Sequence, residues 1–268
     1  MERRSDNGTA YALSGPADGP LVVLIHGLGL NRGCWQWHMP ALTARARVLT
    51  YDLYGHGDSA APPAKPSLSL FAAQLRELLD ELQVEASALV GFSLGGMINR
   101  RFAIDHPERV AALAILNSPN ERGPEAQRLV EERAAQSAAG GPAATLDATI
   151  ERWFTAAFRS GRPEVIALVR DWVLANDPAS YAQCREVLAK GVTELVRSHP
   201  PIDRPTLVMT AEHDSGSTPA MSRAIAAEIP GARFLIVPSL QHMGLVEAPD
   251  LFTEPVLDFL DETGFLSR

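Results

Sequence analysis

The sequence predicts an α/β fold in which a mostly parallel β-sheet is flanked by helices. Short apolar runs alternate with helical patterns toward both ends of the chain. Each run is apolar at nearly every position, which is typical of parallel strands that are buried on both faces. Between about residues 119 and 201 this alternation stops, and helical patterns follow one another without a strand-like run.

Strand-like and helix-like segments can be assigned in order along the chain. Ser69–Leu82 carries apolar residues at helical spacing, and a helix from Leu94 to His106 is expected to end before Pro107. Apolar runs of strand length lie between the helical patterns. The predicted strands are Leu21–Ile25, Val48–Tyr51, Ala88–Val90, Ala112–Leu116, Thr206–Thr210 and Phe234–Val237.

The interrupted stretch predicts a helical lid inserted before the last two strands. We therefore expect residues 1–118 and 202–268 to form the α/β core and residues 119–201 to form the lid. Ligands of open α/β sheets bind outside the carboxyl ends of the strands, so a lid there would cover the site. Its predicted helices are Glu125–Ser137, Thr145–Phe158, Pro163–Ala175 and Ser180–Glu194.

Composition narrows the class of protein. The 268 residues carry a net charge of −8 without a basic stripe, which argues against nucleic acid or a membrane surface as partner. No apolar run approaches the roughly 20 residues of a membrane span, and the N-terminus lacks a signal peptide's apolar region. Cys34 and Cys184 are far apart in sequence. We expect a cytoplasmic protein with reduced thiols, and the oligomeric state stays open.

The strongest motif is Gly91-Phe92-Ser93-Leu94-Gly95, directly after one predicted strand and directly before a helix. In that setting G-x-S-x-G forms a sharp strand-to-helix turn that exposes the serine hydroxyl. The helix N-terminus then points at an oxyanion that develops beside the serine. Ser93 is therefore the predicted nucleophile.

A glycine-rich loop completes a predicted oxyanion hole. His26-Gly27-Leu28-Gly29 follows the strand Leu21–Ile25, where the loop would face the serine turn. The backbone N–H groups of Leu28 and Leu94 are the candidate donors. A purely structural glycine turn is the alternative interpretation of the loop.

The base and the acid follow from chain order. His242 lies a few residues after the last predicted strand, and Asp214 follows the strand before it. Both positions lie at the carboxyl edge of the sheet, and the order Ser, Asp, His is one that serine triads use on such a fold. Glu212 is the rival acid, because it also follows that strand. We predict a triad of Ser93, Asp214 and His242.

This set of residues predicts acyl transfer through an acyl-enzyme that water releases. His242 would take the proton of Ser93, and Asp214 would hold the imidazole in the required tautomer. No cofactor and no metal is expected, because zinc-type Cys/His spacing, a G-x-G-x-x-G motif and a Walker A loop are all absent from the sequence. The expected partners are a small ester or lactone and water.

The chain resembles the α/β-hydrolases over essentially its whole length, and within them the 3-oxoadipate enol-lactonases most. The lid stretch Ile150–Thr155 with Phe158 and the run Tyr181–Cys184 carry the second resemblance, together with Met97 beside the serine turn. The resemblance implies hydrolysis of the enol-lactone of a dicarboxylic keto acid. The superfamily resemblance rests on the segments 26–29, 52–59, 91–96, 211–214 and 242–249.

An enol-lactone of this kind keeps a free carboxylate, so the resemblance implies a cation in the pocket. Arg152, beside Trp153, is the favoured candidate, and Arg133, Arg159 and Arg185 are alternatives. Apolar side chains would form the walls of an acyl pocket. The candidates for these walls are Phe92, Trp153 and Phe154, each of which could instead belong to the core of the lid.

Other functions use the same fold and triad. A broad carboxylesterase, an acyl-homoserine lactonase and a carbon–carbon hydrolase are the enzymatic alternatives. A ligand-binding module on a hydrolase scaffold is the alternative outside enzymology, because function belongs to the site rather than to the fold.

Overall fold

Eight strands form the sheet at the centre of the computed structural model, which describes residues 2–267. The strand order is β1-β2-β4-β3-β5-β6-β7-β8. β1 and β2 pair antiparallel with their neighbours, and every pair from β4 through β8 is parallel. The strands are β1 Glu2–Arg4, β2 Ala10–Ser14, β3 Leu21–Ile25, β4 Arg47–Tyr51, β5 Ser87–Phe92, β6 Val110–Leu116, β7 Thr206–Ala211 and β8 Arg233–Val237.

Helices flank the sheet. α2 packs against α3, while α1 packs against α11. Short 3₁₀ helices occur at Arg32–Trp35, Pro107–Arg109, Pro142–Thr145 and Gly191–Glu194. The α-helices are α1 Met39–Thr43, α2 Leu68–Glu81, α3 Leu94–Asp105, α4 Pro124–Gly140, α5 Leu146–Trp153, α6 Ala156–Gly161, α7 Pro163–Leu174, α8 Pro178–Lys190, α9 Pro219–Glu228, α10 Gly244–Glu247 and α11 Asp250–Glu262.

The predicted fold class is confirmed. All six predicted strands are present and they are the parallel part of the sheet. Side chains of β3, β5 and β7 are buried along their full length, as continuous apolar runs predict for central parallel strands. The sequence did not predict β1 or β2, which form the antiparallel edge.

The stretch between β6 and β7 contains α4 through α8 and no strand among the described residues. The predicted single helix Thr145–Phe158 is wrong, because two helices, α5 and α6, occupy this range. Phe154 has extended backbone between them, and Thr155 caps α6 by accepting a hydrogen bond from the Phe158 N–H at 3.2 Å. The Thr155 N–H and hydroxyl both donate to the Glu247 carboxylate, at 2.8 and 2.7 Å. This tertiary contact fixes the break.

Within residues 2–267, no helix is both long enough and apolar enough to cross a lipid bilayer. Cys34 and Cys184 are both buried and free.

Candidate active site

Ser93 lies at the junction between β5 and α3 in a strained backbone conformation. Its φ is 55° and its ψ is −113°, a region that costs a residue with a side chain about 1–3 kcal/mol. The Ser93 N–H donates to Leu116 O of the neighbouring strand at 2.9 Å and anchors the turn to β6. The hydroxyl borders a cavity beyond the carboxyl end of the sheet.

Two glycines of the motif are required by close approach of the backbone. A Cβ atom at Gly91 would lie 2.2 Å from Gly95 O, and one at Gly95 would lie 2.1 Å from Ile25 O. Both distances are far inside van der Waals contact with main-chain atoms that have no freedom to move. The G-x-S-x-G spacing therefore follows from packing α3 against β5 and β3.

The loop after β3 faces Ser93, as its glycines predict. A Cβ at Gly27 would lie 3.2 Å from the Ser93 Cβ, and Leu28 lines the same cavity as Ser93. The Leu30 N–H donates to Gly27 O at 3.2 Å to close the turn, and this bond does not use the Leu28 N–H. Leu94 is the first residue of α3, where a backbone N–H has no partner within the helix.

His26 holds this loop from inside the protein. Its Nε2 accepts a hydrogen bond from the Leu53 N–H at 3.0 Å, so Nδ1 carries the proton and donates to Gly27 O at 2.8 Å. Burial lowers the pKa of His26 to about 4, which keeps the ring neutral. His26 therefore shapes the loop and is not exposed to the cavity.

Asp214 is completely enclosed and accepts four hydrogen bonds. Oδ2 accepts from His242 Nδ1 at 2.7 Å and from Asn117 Nδ2 at 2.9 Å. Oδ1 accepts from the backbone N–H groups of Gly216 at 2.8 Å and Ser217 at 2.9 Å. Every lone-pair direction of the carboxylate is used, which fixes its orientation.

The environment of Asp214 favours its ionised form. Burial opposes ionisation, but the His242 charge and the donated hydrogen bonds outweigh it and hold the pKa of Asp214 below its ordinary value. An ionised carboxylate at this position keeps the proton of His242 on Nδ1 and leaves Nε2 as the acceptor.

His242 is held between aromatic rings at the edge of the cavity. The centroid of its ring lies 5.0 Å from that of Phe92 and 5.9 Å from that of Trp153. The Met243 N–H donates to Trp153 O at 2.8 Å, which ties the histidine loop to α5. Ser93 and His242 line one cavity, but among residues 2–267 no hydrogen bond joins the Ser93 hydroxyl to the ring. Such bonds often form only when substrate is present.

Glu212, the rival acid, does not contact His242. Its carboxylate is half exposed and accepts a hydrogen bond from the Ser239 N–H at 2.9 Å. Glu212 thus stabilises the loop between β8 and His242, whereas Asp214 is bonded to the ring itself.

The cavity measures about 720 Å³, counting the space at its mouth. Leu28, Leu30 and Trp153 provide apolar wall. Four arginines also line it, and no acidic side chain does among the described residues. These arginines are Arg122, Arg133, Arg152 and Arg185.

The structure separates the predicted substrate-contacting residues. Phe92, Arg152 and Trp153 line the cavity. Phe154 does not line it, so its prediction as a wall residue is corrected. It is fully buried and stacks on Phe158 with a centroid distance of 5.5 Å, because the extended backbone at this position turns the ring into the core. The alternative Arg159 instead donates to main-chain carbonyl oxygens of the helical segment.

Sequence reasoning did not find three contributors to this site. Asn117 directly follows β6 with a φ of 46° and donates to Asp214, and Ser217 donates to it through its backbone. Arg122 adds a guanidinium to the cavity. The position of Asn117 at the carboxyl end of a central strand was the available signal for it. No group of three or more potential metal ligands occurs within the described part of the chain.

Known proteins resemble this chain over most of its length. The family model of the alpha/beta hydrolase fold matches residues 20–249. The chain is 29% identical over 254 residues to 3-oxoadipate enol-lactonase 2 of Acinetobacter baylyi, covering 92% of this chain and 90% of the relative. It is 32% identical over 242 residues to a Klebsiella pneumoniae protein named as a candidate carbamate hydrolase, RutD, covering 90% and 91% of the two chains.

Among solved structures, the enol-lactonase from Burkholderia xenovorans LB400 is similar with a TM-score of 0.87 and 31% identity, over 95% of this chain and 98% of that chain. The family match covers the loop after β3, the turn at Ser93 and the segments that hold Asp214 and His242. With these residues on one shared architecture, the chain belongs to the alpha/beta hydrolase family.

Proposed function

We propose that this hydrolase cleaves small anionic carboxylic esters or lactones through an acyl-enzyme on Ser93, in the manner of an enol-lactonase. The observation that carries the proposal is the hydrogen bond between His242 and the buried Asp214, on the wall of the cavity that Ser93 also lines. A buried acid, a base and a serine on a strained turn are the parts that nucleophilic acyl transfer requires.

The first half of the reaction forms the acyl-enzyme. His242 Nε2 takes the proton of the Ser93 hydroxyl as Oγ attacks the carbonyl carbon. The negative charge on the carbonyl oxygen is stabilised by the N–H groups of Leu28 and Leu94, and each donor of this kind contributes about 3–4 kcal/mol. The intermediate then collapses, and the leaving oxygen receives the proton from His242. In a lactone this oxygen stays attached to the acyl chain.

The second half releases the acid. Water donates a proton to His242 Nε2 and attacks the ester carbon of Ser93, and the same two N–H groups stabilise the second oxyanion. Ser93 leaves with the proton of His242. Asp214 stays ionised throughout and stabilises the imidazolium in both halves.

Charge on the cavity wall supports an anionic substrate. Arg152 is partly buried, and its one hydrogen bond within the described residues is from Nη2 to Thr149 Oγ1 at 3.3 Å. A guanidinium in this state has donors left for a carboxylate. The enol-lactonase relatives make an enol-lactone the first substrate to try, and the RutD relative makes a carbamate the competing class.

We further infer that residues 119–201 act as a lid over this site. The inference is supported by the cavity residues that this segment contributes, including Trp153 and Arg185. Asn176 Nδ2 donates to Gly29 O at 3.1 Å, which connects the segment to the predicted oxyanion loop. A cover of this kind would exclude bulk water during acylation.

The test compares wild type with Ser93→Ala on a panel that contains p-nitrophenyl acetate, 3-oxoadipate enol-lactone, an acyl-homoserine lactone and a carbamate. We expect kcat/KM to be highest for the anionic lactone and to fall by about 10⁴-fold or more in Ser93→Ala. Equal rates for the two proteins on every substrate would refute the serine mechanism and favour a binding module. A preference for neutral esters would refute the anionic substrate.

A further inference from the structure

Within residues 2–267, none of the four cavity arginines forms an ion pair with an acidic side chain. Arg185 Nη1 donates to Tyr181 Oη at 3.0 Å, and its guanidinium lies 5.9 Å from the centroid of that ring. Arg122 donates to the carbonyl oxygens of Leu188 and Ala189 at 3.4 and 3.3 Å, and its buried Nε has no partner within residues 2–267. Arg133 makes neither a hydrogen bond nor an ion pair with a described residue.

Several arginines elsewhere in the same helical segment have acidic partners, although Arg159 donates to main-chain oxygens instead. Arg128, five residues before Arg133 on α4, pairs with Glu125 and Glu132. On α7, Arg170 pairs with Asp147 at 2.6 Å. Acidic side chains are therefore available to arginines of this segment, but none of them lines the cavity within the described residues.

Three of the four form a cluster. Arg133, Arg152 and Arg185 come from α4, α5 and α8, so three separate helices bring them to one wall. Burial lowers the pKa of Arg152 to about 10, and the charges of Arg133 and Arg185 act in the same direction, whereas the charge of Asp214 acts against them. Burial and the Arg185 charge likewise lower the pKa of Arg133. Mutual repulsion of partly desolvated cations is a cost that an anionic ligand removes.

Arg122 reaches the cavity from a different segment, the loop that follows β6. Its guanidinium donates to main-chain oxygens near the end of α8, whereas Arg185 lies earlier on that helix. A carboxylate bound by the cluster of Arg133, Arg152 and Arg185 would leave Arg122 without an anionic partner. Two carboxylates at different places on the substrate would match both the cluster and Arg122.

We propose that the cavity selects esters or lactones that carry two free carboxylates besides the scissile carbonyl, one bound by Arg133, Arg152 and Arg185 and the other by Arg122. Hydrolysis of such a substrate rests on the proposed function, whereas binding of its two carboxylates by the arginines does not. When both free carboxylates lie on the acyl part, hydrolysis releases a third carboxylate and the product is a tricarboxylate. The next reaction would then consume a small tricarboxylate.

Binding to Ser93→Ala separates recognition from turnover. Calorimetry would use three methyl esters of similar length with zero, one and two free carboxylates: methyl butyrate, monomethyl succinate and a monomethyl ester of propane-1,2,3-tricarboxylate. We expect each added carboxylate to tighten binding at least about tenfold, because charge-assisted hydrogen bonds form to arginine. If the second carboxylate gains less than twofold, the proposal is wrong.

Arginine variants then locate the two carboxylates. Arg122→Gln, made in the Ser93→Ala protein, should remove the gain of the second carboxylate, whereas Arg133→Gln should weaken binding of both the singly and the doubly anionic ester. Arg128→Gln, on the same helix as Arg133 but paired with acids at the surface, is the matched control and should keep the full gain. Equal losses in Arg128→Gln would reduce the effect to net charge and overturn the proposal.

Arg122→Lys and Arg133→Lys keep the positive charge and should retain part of the affinity gain from the carboxylates. Circular dichroism would check that each variant is folded.

Failure of this proposal is distinguishable from failure of the proposed function. If wild type and Ser93→Ala hydrolyse esters at the same rate, the serine mechanism is refuted, but the binding measurements still test the dianion site. A flat binding series would refute the dianion site while leaving turnover intact.

Discussion

The two walls of the cavity satisfy their polar groups in different ways. On the sheet side, formed by the loops that follow strands β3 to β8, the Asp214 carboxylate accepts four hydrogen bonds and His242 Nδ1 is bonded to it. On the helix side, formed by α4, α5 and α8, three arginines have no acidic partner among the described residues. In the proposed function, the sheet side is preorganised for one reaction, whereas the arginines of the helix side receive their anionic partners from the substrate.

The largest effect should come from disturbing the preorganised side. Asp214→Asn keeps the size of the side chain but no longer favours the proton on His242 Nδ1, and we expect kcat to fall by about 10⁴-fold. Glu212→Gln is the control, because Glu212 bonds Ser239 and not the histidine. Steady-state kinetics on one ester would measure both. Similar losses in the two variants would refute the assignment of Asp214.

On the helix side, we expect two neighbouring aromatic residues to have different roles, one in stability and the other in substrate binding. Phe154 is fully buried against Phe158, so Phe154→Ala should lower the free energy of unfolding by about 3–5 kcal/mol. Trp153 borders the cavity, and Trp153→Ala should raise KM with a smaller loss of stability. Urea denaturation and kinetics on both variants would check this. A larger stability loss in Trp153→Ala would contradict the division.

The same two sides also differ in how far the sequence predicts them. The sheet side depends on continuous apolar runs and on glycines forced by backbone contacts, so β3 and the turn at Ser93 could be located from local pattern. On the helix side, the break at Phe154 depends on Glu247, which is distant in sequence. The convergence of three arginines depends on how α4, α5 and α8 pack, and the spacing of residues within each helix does not predict that packing.

Asn117 is the exception on the sheet side, because its role depends on one hydrogen bond. Asn117→Ala removes the donor at 2.9 Å from Asp214, and we expect kcat to fall about tenfold with little change in KM. Losing this bond should also raise the pKa of Asp214 and shift the acid limb of the rate profile toward higher pH. Asn117→Gly keeps the left-handed backbone easy to adopt and controls for strain at its φ of 46°. An unchanged profile in Asn117→Ala would limit Asn117 to a structural role.

Acid should weaken the sheet side first. Burial lowers the pKa of His26 and His38 to about 4 and that of His56 to about 3, below the ordinary value of 6.5. Between these pH values the unfolded chain binds more protons than the folded protein. The contribution of the neutral histidines to the free energy of unfolding is therefore fully present above pH 6.5 and is lost as the pH falls toward 4. Each histidine adds up to about 1.4 kcal/mol per pH unit to this slope. Urea denaturation at successive pH values would measure it.

Variants and hydrogen exchange assign this slope to one side of the cavity. His38→Gln should reduce the slope by one histidine's share, whereas His213→Gln, at an exposed side chain, is the matched control. His26 begins the predicted oxyanion loop, and its ring centroid lies 5.3 Å from that of His56, whereas residues 119–201 contain one histidine, His199. Amides of the loops after β3 and β4 should therefore lose protection at a higher pH than those of α4 through α8. Simultaneous loss on both sides would mean that the two walls unfold as one unit.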